Sequence, residues 1–456
     1  MLYVKIASAI RDYISTSLFP GARLPSIREL SKRFQVSKNT ISAALEHLNS
    51  EGLVEIKPQS GVVVSTSAWT VLFAKTPQWD EYTQGRRFSP SHAALGKLLL
   101  KDVSQVQMHR PYIDSSIADF SYIERTLKEI RVGRTYRTHS GLPLLKKELC
   151  EHFAEKGIKC SPDEILITSG TNQSLHLLSL VMFGPNVSLV STNPTNLELL
   201  SSIESSRVKQ VEVPSDREGI IVDSLIRKTN NLLSKILYID TTCNWPTGRA
   251  TTDTRKRDLF NTCSAMRTLI IEKDELSDIM PNKTKSIKSL DKSQSVIYLF
   301  DVNYYMNMVG IGCIVAHRRI IDILSDVLAQ IDAPHSLNQH ILCEMLKTGL
   351  YREYTEKIRL ALDERITFTN MLLKKHLGNM ASWEDTNPAL MCWLEFKIGM
   401  VKKIYNDSLR GFTFVPGSLL DMRDNKHMLI MPAGLAPDEL EKGIISLAKT
   451  ASKYLN

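Results

Sequence analysis

The stretch "SKNTISAALEHLNSEG" opens with side chains suited to reading a nucleic acid. Ser37 stands as a helix cap, Lys38, Asn39 and Thr40 are the first helical residues, and Ser42 follows just beyond. An Asn at such a place bonds adenine through two hydrogen bonds, and a Lys reaches guanine or phosphate. Arg23, Arg28 and Lys32 lie upstream and suit phosphate contacts, which fix position without specifying sequence. Gln59, Ser60 and Gly61 form the tip of a predicted hairpin, where they reach backbone or minor groove. Taken singly, Lys32 or Arg33 is as well explained by a solvated helix face; the run from Ser37 to Thr40 is not.

These residues need a scaffold, and the first 65 residues supply one. "MLYVKIASAIRDYISTSL" places Leu2, Ile6, Ile10 and Ile14 at helical spacing. "LPSIRELSKRF" offers Ser26 as cap with Glu29 three residues on, and Ile27, Leu30 and Phe34 as an inner face. "QV" is a short turn. In the next helix Ile41, Ala44, Leu45 and Leu48 face inward and Gly52 ends it. "LVEIKPQSGVVVS" is two β-branched runs around a turn, a hairpin. Helix, helix, tight turn, helix and hairpin is the order of a winged helix-turn-helix, whose third helix enters the major groove. "ARLPSIRELSKRFQVSKNTISAALEHLNSEGLVEIKPQSGVVV" resembles the GntR family of bacterial regulators nearly throughout.

The chain as a whole has 456 residues, 43% apolar and 23% charged, with a formal net charge of +8. Such a length allows two or three domains and a large core. The basic balance suggests an acidic partner. Seven Cys are scattered singly, with no C-x-x-C pair and no H-E-x-x-H, which speaks for reduced thiols and against a metal site. No apolar run is long enough to span a bilayer, and the N-terminal pattern carries charges that a signal peptide lacks. A cytoplasmic protein is expected.

Residues 1–66 are expected to form the winged helix-turn-helix and 67–105 a linker with one short helix, "AALGKLLLKDV". Residues 106–456 alternate strands and helices, with a smaller α+β subdomain from about 345 onward. The strands are "EILITSG", "NVSLVSTNP", "VKQVEVP", "KILYIDTT", "TLIIEKD", "SVIYLFD" and "IGCIVAH". A mostly parallel α/β sheet with helices on both faces follows, and ligands of such sheets sit outside the carboxyl ends of the strands. The Lys-rich run "PNKTKSIKSLDKSQS" between two strands reads as a solvated loop.

Four stretches in order, "TYRTHSGLPLLKKELC", "ILITSGTNQSLHLL", "LYIDTTCNWPTGRATT" and "TLIIEKDELSDI", resemble the large domain of fold-type I pyridoxal-phosphate aminotransferases. With the N-terminal module, the chain resembles the MocR branch of the GntR regulators over nearly its whole length. That resemblance implies a cofactor used for ligand sensing and head-to-tail dimers. It also implies an imine Lys, a ring-nitrogen acid, a stacking aromatic, a phosphate-binding turn and a carboxylate-binding Arg.

The turns survive and the reactive positions do not. "SGTNQ", with Ser169, Gly170 and Thr171, joins a strand to a helix whose N-terminus suits an anion, although Gly170 also suits a plain tight turn. Asn244 in "NWPTG" falls where the family meets the ring hydroxyl. The ring acid aligns with Lys273, its usual Tyr neighbour with Glu275 and the stacking ring with Asn196. Asp274 points to the opposite side of its strand. The Ser before the imine Lys aligns with Asn303 and the Lys itself with Tyr304 or Tyr305; no Lys occurs from Ser293 to Met345. Asp301 replaces a neutral hydroxyl residue beside the expected phosphate, Gly310 the phosphate Arg and Leu429 the substrate Arg.

The sequence therefore predicts a DNA-binding regulator whose aminotransferase-like domain is catalytically inactive, holds no cofactor and serves dimerisation. A small-molecule effector has room in a cleft lined by Asn244, Asn303, Tyr304 and Tyr305. Two other readings stand beside it: a working pyridoxal-phosphate regulator or aminotransferase with a displaced lysine, Lys273 being the candidate, and a scaffold with no ligand at all.

Overall fold

The computed structural model describes residues 2–18, 20–57, 61–68, 106–130, 140–194, 199, 206–280, 285–331, 333–384, 390–408, 411–420 and 423–455. The predicted linker helix "AALGKLLLKDV", the wing-tip residues Gln59 and Ser60, and Asn196 lie outside them. The chain divides into two compact units, residues 1–87 and 88–456.

In the first unit, α1 (Leu2–Ser17), α2 (Ile27–Phe34) and α3 (Lys38–Ser50) precede an antiparallel hairpin, β1 (Val54–Lys57) and β2 (Gly61–Val64). Ile6, Ile10, Ile14, Leu30, Ile41, Leu45 and Leu48 are buried together with Val54, Val62 and Val64, so the 3.6-residue spacing of the helices and the alternation of the hairpin converge on one core. Two residues expected inside are not: Leu2 is 58% exposed and Ile27 37%. Each begins its helix, beyond the neighbouring elements that cover the later turns.

The second unit is built on a seven-stranded sheet. In chain order the strands are β3 (Ile165–Thr168), β4 (Val187–Thr192), β5 (Lys209–Val213), β6 (Ser234–Asp240), β7 (Leu269–Asp274), β8 (Val296–Asp301) and β9 (Gly312–Val315). Their spatial order is β3-β9-β8-β7-β6-β4-β5, all parallel except β9, which runs antiparallel to both neighbours. The central strands are buried along nearly their full length, as strands covered on both faces must be, and so read as continuous apolar runs. The helices here are α4 (Ser121–Glu129), α5 (Pro143–Glu155), α6 (Thr171–Met182), α7 (Val222–Thr229), α8 (Asp253–Ala265), α9 (Arg318–Leu328) and α10 (Ser336–Thr348).

The long α11 (Leu350–Leu377) leads into a four-stranded antiparallel sheet of β10 (Ala381–Ser382), β11 (Cys392–Phe396), β12 (Val415–Pro416) and β13 (His427–Ile430), in the order β10-β11-β13-β12. Helices α12 (Val401–Ser408) and α13 (Pro437–Ser452) cover it. This subdomain also recruits chain from far upstream. Val106–Gln107 pairs in parallel with Phe412–Thr413, Met108 lies in the subdomain's core, and the Met431 N–H donates to the Met108 carbonyl at 2.7 Å. The smaller subdomain is therefore not a contiguous C-terminal piece.

Candidate functional site

The first unit presents its candidate nucleic-acid face at the start of α3. The Ser37 hydroxyl accepts the Thr40 N–H at 3.1 Å and lies 2.8 Å from the Thr40 hydroxyl, so these two side chains close the helix end while Ser37 stays exposed. Lys38 and Asn39 are exposed beside that cap, and Ser42 is half-buried. Upstream, Ser26 and Glu29 close a reciprocal capping box on α2. Arg23, Arg28 and Lys32 are exposed, and among the described residues no acid pairs with them. Gly61 opens β2 at a φ of +85°, a left-handed conformation that admits glycine at little cost. Gln35 ends α2 at a φ of 53°, which turns the chain sharply into α3.

The second unit brings the turns expected to form the cleft together at the carboxyl ends of the strands. The anion-binding turn is formed there, and its Ser169 and Thr171 N–H donors are already taken. The Thr171 N–H, first in α6, donates to the Asp301 carboxylate at 2.6 Å; the Asn303 N–H donates to the other Asp301 oxygen, also at 2.6 Å. The Ser169 N–H donates to the Gln173 side chain at 2.8 Å, and the Asn303 amide donates to the Ser169 carbonyl at 2.9 Å. Gly170 has a φ of +124°, and a side chain on it would meet the Asn303 amide at 2.1 Å. The turn is thus packed against the Asp301–Asn303 strand end. Among the described residues the Thr171 hydroxyl and the Asn303 carbonyl oxygen are buried without a partner. Buried orphans of this kind are uncommon.

The ring position is equally changed. Lys273 is 3% exposed at the end of β7 and forms an ion pair with Glu275 at 2.9 Å. Asp240, directly beside it in register on β6, is also buried. Burial pushes the Asp240 carboxyl up to about 7, against the pull of Lys273. Asp274 points the other way, as strand alternation requires, and accepts the Tyr298 hydroxyl at 2.5 Å.

The tyrosines of the turn after β8 are structural. The Tyr304 hydroxyl donates to the Leu390 carbonyl at 3.3 Å, and that of Tyr305 lies 2.7 Å from Tyr351's. Burial raises both phenols. Asn244 uses its backbone to close the "NWPTG" turn, with its N–H on the Arg249 carbonyl at 2.7 Å.

Sequence reasoning missed a second buried polar network. Asp278 accepts from Lys156 at 2.6 Å, His152 at 3.1 Å and Tyr351 at 2.5 Å. Burial alone would raise its carboxyl, but Lys156 and His152 override that and hold it far below the usual range. The Lys-rich run is also partly internal: Lys288 is buried, bonds the Val296 carbonyl at 2.6 Å and, with Ile287, gives its N–H to Glu272. Cys150 and Cys160, ten residues apart, bring their sulfurs to 3.8 Å. Burial raises both thiols, so neither is a reactive thiolate.

The comparisons bear on both units. The model for "Bacterial regulatory proteins, gntR family" matches residues 2–64, and that for "Aminotransferase class I and II" matches residues 121–419. The chain belongs to the MocR group, a GntR helix-turn-helix fused to a class I and II aminotransferase domain. It is a DNA-binding transcriptional regulator of that type. The MocR chain is 26% identical to the uncharacterized HTH-type transcriptional regulator YdfD of Bacillus subtilis, over 98% of its own length and 95% of the relative's. It is 28% identical to the HTH-type transcriptional regulator NorG of Staphylococcus aureus, over 85% of this chain and 89% of NorG. Among solved structures it resembles kynurenine aminotransferase of Pyrococcus horikoshii, with a TM-score of 0.74 and 22% identity over 82% of this chain and 97% of that one. A multiple substrate aminotransferase from Thermococcus profundus gives a TM-score of 0.75 at 20% identity, over 82% and 98%. These structures establish the aminotransferase fold.

Pyridoxal phosphate, the group this fold implies, does not fit the residues present. Its phosphate would meet the Asp301 carboxylate, which already holds the Thr171 N–H of that turn. Its ring nitrogen would meet a cation, and no lysine lies on the turn that should supply the imine. Among the described residues no helix is long and apolar enough to cross a membrane, and no group of acidic, His or Cys side chains is arranged to hold a metal ion.

Proposed function

We propose that this MocR-type regulator binds its operator without pyridoxal phosphate and without catalysis, and that its aminotransferase-like unit serves to pair two copies and to sense a ligand. One observation carries the reading. The Asp301 carboxylate sits on the Thr171 N–H, at the helix end that would hold a cofactor phosphate. A carboxylate at a helix N-terminus satisfies the same orphan donors and the same dipole that a phosphate would. The chain thus supplies from within the anion it would otherwise recruit.

Lys273 completes the argument. Its ammonium pairs with Glu275 and lies beside Asp240, which disfavours the alternative of an imine formed from a displaced lysine. An amine must be neutral to attack an aldehyde, and an acidic neighbour favours the charged form. DNA is engaged by Lys38 and Asn39 at base edges, with Arg23, Arg28 and Lys32 on phosphates and Gly61 at the wing. Residues 1–66 then act as the reading head, 67–105 as the connection and 106–456 as the pairing and sensing part of a cytoplasmic homodimer.

The test is an absorbance spectrum of the purified chain with added pyridoxal phosphate. No imine band is expected, and none after borohydride treatment; a band abolished by borohydride would overturn the reading. Footprinting of a mapped operator, with a steep loss of binding as salt rises, tests the DNA half.

A further inference from the structure

A concavity opens between the carboxyl ends of the large sheet's strands and the four-stranded sheet, next to the Asp301 turn of the old cofactor cleft and sharing its "NWPTG" turn. It has a volume of about 790 Å³, within the range of small-molecule sites. None of Lys273, Asp301 and Tyr304 lines it. One wall comes from Arg217 and the "NWPTG" turn, through Thr247 and Arg249; the other comes from Trp383, Trp393 and His427.

The wall is built rather than incidental. The Trp393 and His427 rings stack with centroids 5.2 Å apart and planes 6° from parallel. His427 is held in turn by Asp424, 3.0 Å from its Nδ1. The Trp383 indole N–H donates to Asn370 at 2.9 Å, which fixes the plane of that ring. Three aromatic rings with anchored orientations form flat surfaces, which favour a flat ligand.

The charge of the wall specifies the rest. Arg249 makes a two-pronged ion pair with Glu384, at 2.7 and 2.6 Å, and Arg217 approaches the same carboxylate at 3.8 Å. Two guanidinium groups share one carboxylate, so a positive charge is left over. Arg217 is 90% exposed at its side chain and can swing to a ligand at little cost. Counting Arg423 and Lys426 against Glu395 and Asp424 leaves the whole lining at one positive charge in excess. Arg is also the side chain best matched to a carboxylate.

We infer that this cavity binds a small planar aromatic carboxylate, with the ring against Trp393 and Trp383 and the carboxylate on Arg217 at the Arg249–Glu384 pair. Such a ligand would bridge the loops after the large sheet's strands and the four-stranded sheet, since each contributes one wall. Occupancy follows from the cavity alone; its use as the signal to the operator rests on the proposed function.

The probe is indole-3-carboxylate, titrated into the full-length chain and followed by tryptophan fluorescence and thermal midpoint. Saturable quenching and a raised midpoint are expected. Indole, which lacks the charge, and cyclohexanecarboxylate, which lacks the aromatic ring, are expected to give neither. Arg217→Ala, an exposed change that leaves the fold intact, should weaken binding about tenfold, the scale of one charge-assisted contact. Trp393→Ala should abolish it and Trp393→Phe should keep part of it, which separates loss of the ring from loss of the fold. No saturable response in the wild-type chain overturns the proposal. So does an unchanged affinity in both Arg217→Ala and Trp393→Ala, or equal binding of cyclohexanecarboxylate. These readouts involve neither operator nor pyridoxal phosphate, so their failure leaves the proposed function to be judged on its own spectrum.

Discussion

The Asp301 carboxylate and the Thr171 N–H meet at 2.6 Å across the sheet, one from the end of β8 and the other from the first turn of α6. The same carboxylate holds the Asn303 N–H. Replacing Asp301 with Ser therefore frees two buried donors and is expected to cost about 1–3 kcal/mol. The vacated helix end, with the unpartnered Thr171 hydroxyl, should then accept an anion. Thermal denaturation in phosphate against chloride buffer checks this. Phosphate should raise the midpoint of Asp301→Ser more than that of the wild type, and an equal response in both would show that the carboxylate is not filling an anion site.

Asp240 gives a pH signature. Its folded pKa, raised to about 7 by burial, lies above the unfolded value near 4. The folded state therefore binds the proton more tightly, and stability is lost as pH rises from about 4 to 7. Asp240→Asn keeps an acceptor for the Thr242 and Cys243 N–H groups and removes this titration. Relative to wild type the variant should gain on the order of a few kcal/mol between pH 5 and 8. Chemical denaturation at the two pH values measures it; a difference that does not change with pH would contradict the assignment.

Asp278 is the acceptor for Lys156, His152 and Tyr351. Asp278→Asn leaves the Lys156 ammonium without its closest anion, and loss of one partner of a buried pair typically costs about 3–5 kcal/mol. A urea titration should show a midpoint well below wild type, and a shift of only a few tenths of a kcal/mol would mean that Lys156 finds solvent instead.

Asn39→Ala should reduce binding to a mapped operator about tenfold or more while leaving binding to random DNA nearly unchanged, since one two-bond base contact is worth about 1–3 kcal/mol. Gel-shift titrations on both DNAs decide it. Equal losses would place Asn39 on the backbone. Ser37→Ala, by contrast, removes a helix cap and should cost about 1 kcal/mol of stability in the first unit, read from its thermal midpoint.

Much of the fold was legible because its signals are local. The capping residues Ser26 and Ser37, the apolar spacing of α2 and α3, and the seven apolar strand runs each depend on neighbours in sequence, and all appear in the structure. The strand alternation that turns Asp274 away from Lys273 was legible for the same reason. What could not be read were contacts set by tertiary packing. Nothing near Asp301 in sequence announces Thr171, 130 residues away, and nothing near Lys288 announces that a Lys-rich run turns inward to the Val296 carbonyl. Helix-end exposure was misjudged at Leu2 and Ile27 because periodicity names a face but not how far the neighbouring elements extend along it.

The stretch from Val106 to Asp114 is a splice between distant parts of the second unit. It pairs with Phe412–Thr413, bonds Met431 and Ala433, and gives the Ile113 N–H to the Tyr304 carbonyl. It is also where the chain arriving from the winged helix first enters the described part of this unit. Residue 106 therefore belongs to the packing of the smaller subdomain rather than to that of the large sheet. The covalent thread to the reading head is thus fastened to the same subdomain that forms one wall of the cavity.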